Sequence, residues 1–226
     1  TSGLESSASW YIEGYHLHCE VGFFGSTAGD VNGDGYADLL IGIRNHGFHG
    51  VAEVYFGSSS GPSSSPSWSY SYGNSSSLGT SVSTAGDING DGYADIIVGD
   101  PTYDGWNGRT YVFTGSATGP SSNPSWIKIS NEGYGYFGFS VSTAGDTNGD
   151  GFSEIIIGAY GWNTSEYGDE GMAFVYNGGS NGLSTQPQWE QNGANVFSLF
   201  GFSVSDAGDV NGDGYGDVLV GAPEYD

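Results

Sequence analysis

One stretch of seventeen residues occurs four times in this chain. It reads STAGDVNGDGYADLLIG from Ser26, STAGDINGDGYADIIVG from Ser83, STAGDTNGDGFSEIIIG from Ser142 and SDAGDVNGDGYGDVLVG from Ser205. The leading acids Asp30, Asp87, Asp146 and Asp209 are spaced by 57, 59 and 63 residues. A unit that recurs in this way cannot bury its apolar face alone and must stack on its neighbours. The period therefore points to a repeat architecture before any single residue is considered.

Other features keep the same phase. An alternating apolar segment follows each loop region: VAEVYFG from Val51, TYVFTG from Thr110 and MAFVYNG from Met172. A Gly-to-Trp spacing of seven then recurs at Gly61 and Trp68, Gly119 and Trp126, and Gly182 and Trp189, and the chain opens on it at Gly3 and Trp10. Each period reads as four strands. Strand A is the GFSVSTAG stretch, as at 138–145, and strand B is the apolar run after the acidic loop, as at 154–158. Strand C is the alternating segment, and strand D holds the Trp. Helical periodicity is missing, and Gly is too frequent for helices. The expected fold is all-β: a β-propeller of four-stranded antiparallel blades, about three full blades plus a split or partial one. It is expected as a single domain over 1–226, with repeats near 11–68, 69–126, 127–189 and 190–226, and with 1–10 the tail of a preceding repeat. The recurring Trp10, Trp68, Trp126 and Trp189 are expected between blades.

Within each repeat lies the loop Asp30-Val31-Asn32-Gly33-Asp34-Gly35-Tyr36-Ala37-Asp38. Oxygen-bearing side chains stand at loop positions 1, 3, 5 and 9, where a glycine-bent chain can turn them to one centre. Position 7 offers a backbone carbonyl. Calcium takes six to eight hard oxygens at about 2.3–2.6 Å, and this loop supplies most of them. The expected ligands are thus Asp30, Asn32, Asp34, Tyr36 and Asp38; Asp87, Asn89, Asp91, Tyr93 and Asp95; Asp146, Asn148, Asp150, Phe152 and Glu154; and Asp209, Asn211, Asp213, Tyr215 and Asp217. About four structural Ca²⁺ ions are expected in the A–B hairpin loops. A metal-free Asx turn is the alternative, but a turn needs one carboxylate, and three crowded together repel each other. Magnesium favours a strict octahedron with retained waters, and zinc favours nitrogen and sulfur.

Charge narrows the partners. Three basic residues face 26 acidic ones, for a net charge of −23, which repels nucleic-acid phosphates and anionic membranes. No apolar run is long enough to span a bilayer, so no membrane insertion is expected. The opening TSGLESSASW lacks the basic start and apolar core of a signal peptide, as a mature secreted chain would. Aromatic residues make up 15% of the chain, against the aromatic-poor composition of disorder. His16, His18 and Cys19 lack zinc spacing and do not repeat.

Phe137-Gly138 before the loop, the D-x-N-G-D-G-x-x-D loop itself, and Gly221-Ala222-Pro223 after it resemble the FG-GAP repeats of integrin α subunits. Repeats 1 and 2 carry Val21-Gly22 and Leu78-Gly79 in place of Phe-Gly. The resemblance implies a β-propeller with calcium in the A–B loops, an extracellular or cell-surface location, and an adhesion or protein-binding role. Similar calcium loops on fungal lectin propellers imply glycan binding as an alternative.

The strand count runs D, three sets of ABCD, then A and B. Either the chain belongs to a larger propeller or copies associate as a homo-oligomer that completes the ring. The B–C and D–A loops share the face opposite the calcium loops and hold the residues that differ between repeats. Tyr15, His16, His46, His49, Tyr103, Trp106, Tyr134, Tyr136 and Trp162 are the candidate partner-binding residues there. The expected function is a calcium-stabilised interaction module for protein partners, with a glycan-binding propeller second and a polysaccharide-active enzyme third. No nucleophile or phosphate-binding motif is present, so no catalytic residue is assigned.

Overall fold

The computed structural model describes residues 9–14, 20–46, 49–73, 77–131, 133–163, 168 and 170–225. Strands β1 (Glu20–Gly29), β2 (Asp38–His46), β3 (His49–Tyr55) and β4 (Trp68–Ser71) form one antiparallel sheet in sequence order. Strands β5 (Ser81–Gly86), β6 (Asp95–Asp100), β7 (Arg109–Phe113) and β8 (Trp126–Ile129) form the second. Strands β9 (Ser140–Gly145), β10 (Glu154–Ala159), β11 (Met172–Tyr176) and β12 (Trp189–Asn192) form the third. A two-stranded sheet of β13 (Ser203–Gly208) and β14 (Asp217–Gly221) follows. The first strands of the sheets pack in series, β1 on β5, β5 on β9 and β9 on β13. These are the blades of a β-propeller with strand A innermost, as the period requires.

Burial follows strand position. Every residue of β6 and β10 is buried. A strand covered on both faces carries a continuous apolar run, as IIVG and IIIG do here. Outer strands β4 and β8 alternate half-buried and exposed residues, because only one face meets a neighbour. The short α1 (Tyr103–Trp106) between β6 and β7 is a tight turn in substance, since Asp104 and Gly105 both have positive φ, 50° and 70°.

The seam between blades is built from contacts repeated along the chain. The amide at loop position 8 donates to the position-1 carbonyl of the preceding loop: Ala94 to Asp30 at 3.0 Å, Ser153 to Asp87 at 3.0 Å, and Gly216 to Asp146 at 2.8 Å. The position-7 ring lies over the position-4 glycine of the loop before it, Tyr93 on Gly33, Phe152 on Gly90 and Tyr215 on Gly149. Nearer the middle of the blades, backbone meets backbone. A Cβ on Gly42, Gly99 or Gly158 would lie 2.0 Å from the carbonyl oxygen of Gly79, Gly138 or Gly201 in the next blade. At the outer edge the tryptophans bridge blades as expected. Trp68 Nε1 donates to the Ser121 carbonyl and Trp126 Nε1 to that of Ser184, at 3.1 and 3.2 Å. Their rings meet Phe113 and Tyr176 edge-on. Trp10 does the same to Ser63 and Tyr55. Residues 9–14 are not a strand, yet they seat Trp10 where a preceding blade's strand D would. Trp189 is 40% exposed.

Gly99→Ala should therefore destabilise the fold by about 1–3 kcal/mol or more, as overpacking of a tight contact does. A fall in the urea midpoint at unchanged slope would register it. Wild-type stability in that variant would show that the seam is looser than described.

Candidate metal centres

Each acidic loop closes on itself through its own amides. In the first, Asp30 Oδ1 accepts the Asp34 amide at 3.1 Å and Asp30 Oδ2 the Gly35 amide at 2.8 Å. Asn32 Oδ1 accepts from Asp34 N and Asp34 Oδ1 from Tyr36 N, both at 2.9 Å. The same bonds recur in the second loop at Asp87, Asn89 and Asp91, in the third at Asp146, Asn148 and Asp150, and in the fourth at Asp209, Asn211 and Asp213. Two glycines per loop, such as Gly33 and Gly35 at φ 72° and 88°, take backbone conformations that L side chains rarely adopt. This fold turns the side chains of positions 1, 3 and 5 inward over a nest of N–H groups.

The acid at position 9 has a second use that the spacing did not disclose. Asp38 and Asp95 are fully buried. Asp95 Oδ2 accepts the Ile88 amide at 2.9 Å, and its Oδ1 accepts the Gly115 amide at 2.8 Å from just beyond strand C. Asp38 holds the amides of Val31 and Gly57 in the same way. One carboxylate thus ties the loop, the start of strand B and the end of strand C together. Glu154, with one more methylene, reaches further: Oε2 accepts from both Thr147 N and Oγ1, and Oε1 from Asn148 Nδ2.

Burial dominates the electrostatics of these acids. Desolvation pushes the Asp38 and Glu154 carboxyls up, against the pull of their hydrogen bonds. It pushes Asp95 up to about 7, with Asp91 and Asp87 adding to the rise. The exposed Asp209 moves the other way, held down first by the Gly214 amide. Among the described residues, no three Asp, Glu, His or Cys side chains stand close enough to hold a metal as placed. The Asn32 amide group donates to Asp34 Oδ2 at 3.0 Å, and its counterparts Asn89 and Asn211 donate to Asp91 and Asp213. The donor set nevertheless fits a hard cation. It is all oxygen, it carries three carboxylates per loop, and Asp30, Asn32, Asp34 and their counterparts are already turned inward by the backbone. A cation there would need the asparagine donors to release the position-5 carboxylates.

On the opposite face, the B–C and D–A loops meet. Tyr136 N donates to the Trp106 carbonyl at 2.9 Å and Phe137 N to that of Asn107 at 3.2 Å. Trp106 and Tyr134 stack with ring centroids 5.4 Å apart and planes 17° from parallel, and they are 43% and 60% exposed. Tyr136 stacks on Tyr160. Among the described residues, six non-glycine residues have positive φ, all in these loops: Asp104, Trp106, Tyr134, Tyr136, Phe197 and Leu199. Such strain persists where surrounding contacts over-determine it and often marks functional positions.

The remaining candidates divide. Tyr103 lies over the Arg109 guanidinium at 3.5 Å, and Tyr72 and Tyr111 also line that cation, which pairs with buried Asp100. Trp162 packs edge-on against Phe174 in the core. These two are engaged internally. His49 opens β3 and is half-buried. Tyr15 and His16 lie outside the described residues, as does the side chain of His46. Exposed Val196 and Phe197, before β13, were not singled out from sequence. With Pro223 and Glu224 they line a groove of about 820 Å³. The composition of QNGANVFSL gave no sign of this, because the turn is held by Ser198 and Phe200, which both donate to the Glu170 carbonyl about thirty residues back.

A model of the FG-GAP-like repeat matches residues 30–98 and 87–157, and one of the FG-GAP repeat matches 200–226. Integrin alpha-5 of Xenopus laevis is 35% identical over 154 residues, covering 62% of this chain and 14% of its own length. Integrin alpha-6 of Homo sapiens is 34% identical over 140 residues, covering 60% and 12%. Integrin alpha pat-2 of Caenorhabditis elegans is 29% identical over 221 residues, covering 88% and 18%. The chain thus spans less than a fifth of each of these relatives.

Asp95→Ala should cost about 2–5 kcal/mol, because it orphans two buried amides. The loss should appear in EGTA as well as in calcium. A full loss in calcium but none in EGTA would assign Asp95 to the metal alone.

Proposed function

The chain belongs to the FG-GAP repeat family, and from that premise we propose that it is a calcium-stabilised propeller that binds a protein partner on the face opposite its acidic loops. The observation that carries this is the Trp106–Tyr134 stack, exposed on strained loops whose backbones are fixed by a rigid scaffold. Rigid aromatic side chains supply contact area at low entropic cost, and Trp and Tyr dominate binding hot spots. Tyr136 ties the two loops together through its amide on the Trp106 carbonyl and stacks on Tyr160. The flat pair would also suit the C–H face of a sugar ring, which keeps a glycan ligand as the second reading. Nothing in the arrangement calls for turnover, and the module is read as a binder and not an enzyme.

The loops serve stability in this reading. Calcium supplies the positive charge that the clustered carboxylates lack. Asp30, Asp34 and Asp38 and their counterparts would hold it with the asparagine and position-7 carbonyl oxygens. Four ions would shift the formal charge from −23 to −15. Dissociation constants of about 10⁻⁴–10⁻³ M, common in extracellular modules, would give roughly 0.4–1.4 kcal/mol per site in 1 mM calcium. Sites of that affinity would be filled in an extracellular or cell-surface setting, where calcium is abundant. Residues 1–226 are read as one propeller unit. Among the described residues no helix is long and apolar enough to cross a membrane.

Three outcomes test this. Replacing both Trp106 and Tyr134 by Ala should weaken partner binding about tenfold or more while leaving thermal unfolding nearly unchanged. Surface plasmon resonance against extracellular proteins, beside a glycan array, reads the loss and separates the two ligand classes. Calcium should raise Tm by about 2–4 °C per kcal/mol gained, and an EGTA-insensitive Tm would refute the metal reading. The gain should also depend on pH. In metal-free protein the folded Asp95 pKa of about 7 exceeds its ordinary 3.8. The stability that burying this group contributes is complete below about 4 and is lost as pH rises through about 7. Protons and calcium compete for the same oxygens. Differential scanning calorimetry should therefore find a larger calcium gain at pH 8 than at pH 5.

A further inference from the structure

The third acidic loop departs from the first two at a pair of positions that touch. Position 2 is Val31 and Ile88 in the first two loops but Thr147 in the third, and position 9 is Asp38 and Asp95 but then Glu154. Val31 and Ile88 are buried in the core, 0% and 1% exposed. The Thr147 hydroxyl instead turns back on Glu154 and donates to Oε2 at 2.8 Å, beside its own amide at 2.6 Å. Asn148 turns the same way. Its Nδ2 donates to Glu154 Oε1 at 3.3 Å, whereas Asn32 and Asn89 donate to Asp34 and Asp91. The Gly178 amide, just beyond β11, donates to Glu154 as well.

These bonds compete with a cation for the same oxygens. A carboxylate offers about four lone-pair sites. Asp38 accepts one amide on each oxygen, from Val31 and Gly57, and Asp95 does so from Ile88 and Gly115. Among the described residues no further donor reaches either acid, so every one of those oxygens keeps a lone pair for an ion. Glu154 accepts from Thr147 N, Thr147 Oγ1, Asn148 Nδ2 and Gly178 N, which together fill its capacity. One effect runs the other way, because Asp150 is spared the asparagine bond that holds Asp34 and Asp91. That gain is the smaller one. The Asn32 and Asn89 bonds are exposed, and water replaces them readily. Glu154 is fully buried, and drawing its oxygens onto an ion would strand the donors packed against it.

We infer that the third loop is a weaker calcium site than the first two, because Thr147 and its neighbours commit Glu154 to the hairpin and withhold it from the ion. The inference rests on the calcium reading above and refines it at Glu154. Asp146, Asn148, Asp150 and the Phe152 carbonyl are then left to hold the cation. Calcium affinity is tuned by the charge of the ligand set, and a site short of one carboxylate should bind about tenfold or more weakly. Calcium would therefore load the propeller in two stages, with the hairpin of β9 and β10 filled after those of the first two blades.

A calcium titration of the 226-residue chain, followed by ¹⁵N–¹H correlation spectra, tests this site by site. The Gly35, Gly92 and Gly151 amides each donate to the position-1 carboxylate of their own loop, so each reports one site. Gly35 and Gly92 should reach their midpoints at about one tenth of the calcium that Gly151 needs, or less. Thr147→Val combined with Glu154→Asp gives the third loop the residue types of the first two, and should bring the Gly151 midpoint down to theirs. Where that double variant unfolds, Thr147→Val alone frees one lone pair and should still lower it. Equal midpoints for the three amides in the wild type would overturn the inference while leaving the calcium reading intact. A Gly151 midpoint unmoved in the folded variant would overturn it too. No response to calcium at any of the three amides would sink the calcium reading itself, and this inference with it.

Discussion

A four-stranded sheet of short strands is barely stable by itself, and in this chain the contact between one blade and the next supplies what each lacks. The contact is made of backbone at least as much as of side chains. Glycines at 42, 99 and 158 let the carbonyls of 79, 138 and 201 approach to distances no Cβ would permit. That approach brings apolar residues of neighbouring blades, such as Leu40 with Val82 or Ile97 with Ile157, into common clusters. A hydrogen bond from each loop to the one before it sets the stagger. Because the same contact recurs, register is transmitted from blade to blade.

The acidic loops sit on this seam, and their two roles are separable. Positions 1, 3 and 5 form a cup of oxygens held by the loop's own amides, while position 9 closes that cup and also carries the architecture. The buried Asp95 accepts one amide from its loop and one from the end of strand C. Its desolvation is costly and is offset in part by those bonds. A cation would offset more of it, which is the physical link between metal binding and the integrity of the hairpin.

The opposite face obeys different rules. Its loops vary between blades, yet the backbone departs from ordinary geometry at equivalent places. Tyr134 and Tyr136 precede Phe137-Gly138 as Phe197 and Leu199 precede Phe200-Gly201, and all four non-glycine residues take positive φ. Parallel bridges from Gly108 to Phe137 and from Gly171 to Phe200 hold these turns in place. The scaffold thereby presents large side chains outward at a conformational cost that the seam offsets.

The four-fold period, the strand order, the fully buried strands β6 and β10 and the oxygen-rich loops were legible in the sequence. Each depends on local pattern: alternation, continuous apolar runs, and glycines where the backbone must turn left. The bridging role of Trp68 and Trp126 followed from their recurrence in phase. Tertiary structure alone decided the rest, because those features join residues about sixty positions apart. It turned Asp38 and Asp95 into clamps on strand C, drew Tyr103 onto Arg109 and Trp162 against the core, and left Trp106 and Tyr134 outside. Nothing in their local sequence separates these four aromatics, since each lies in a variable loop. What separates them is whether the neighbouring elements leave room to bury the ring, and that is set by the packing of whole blades.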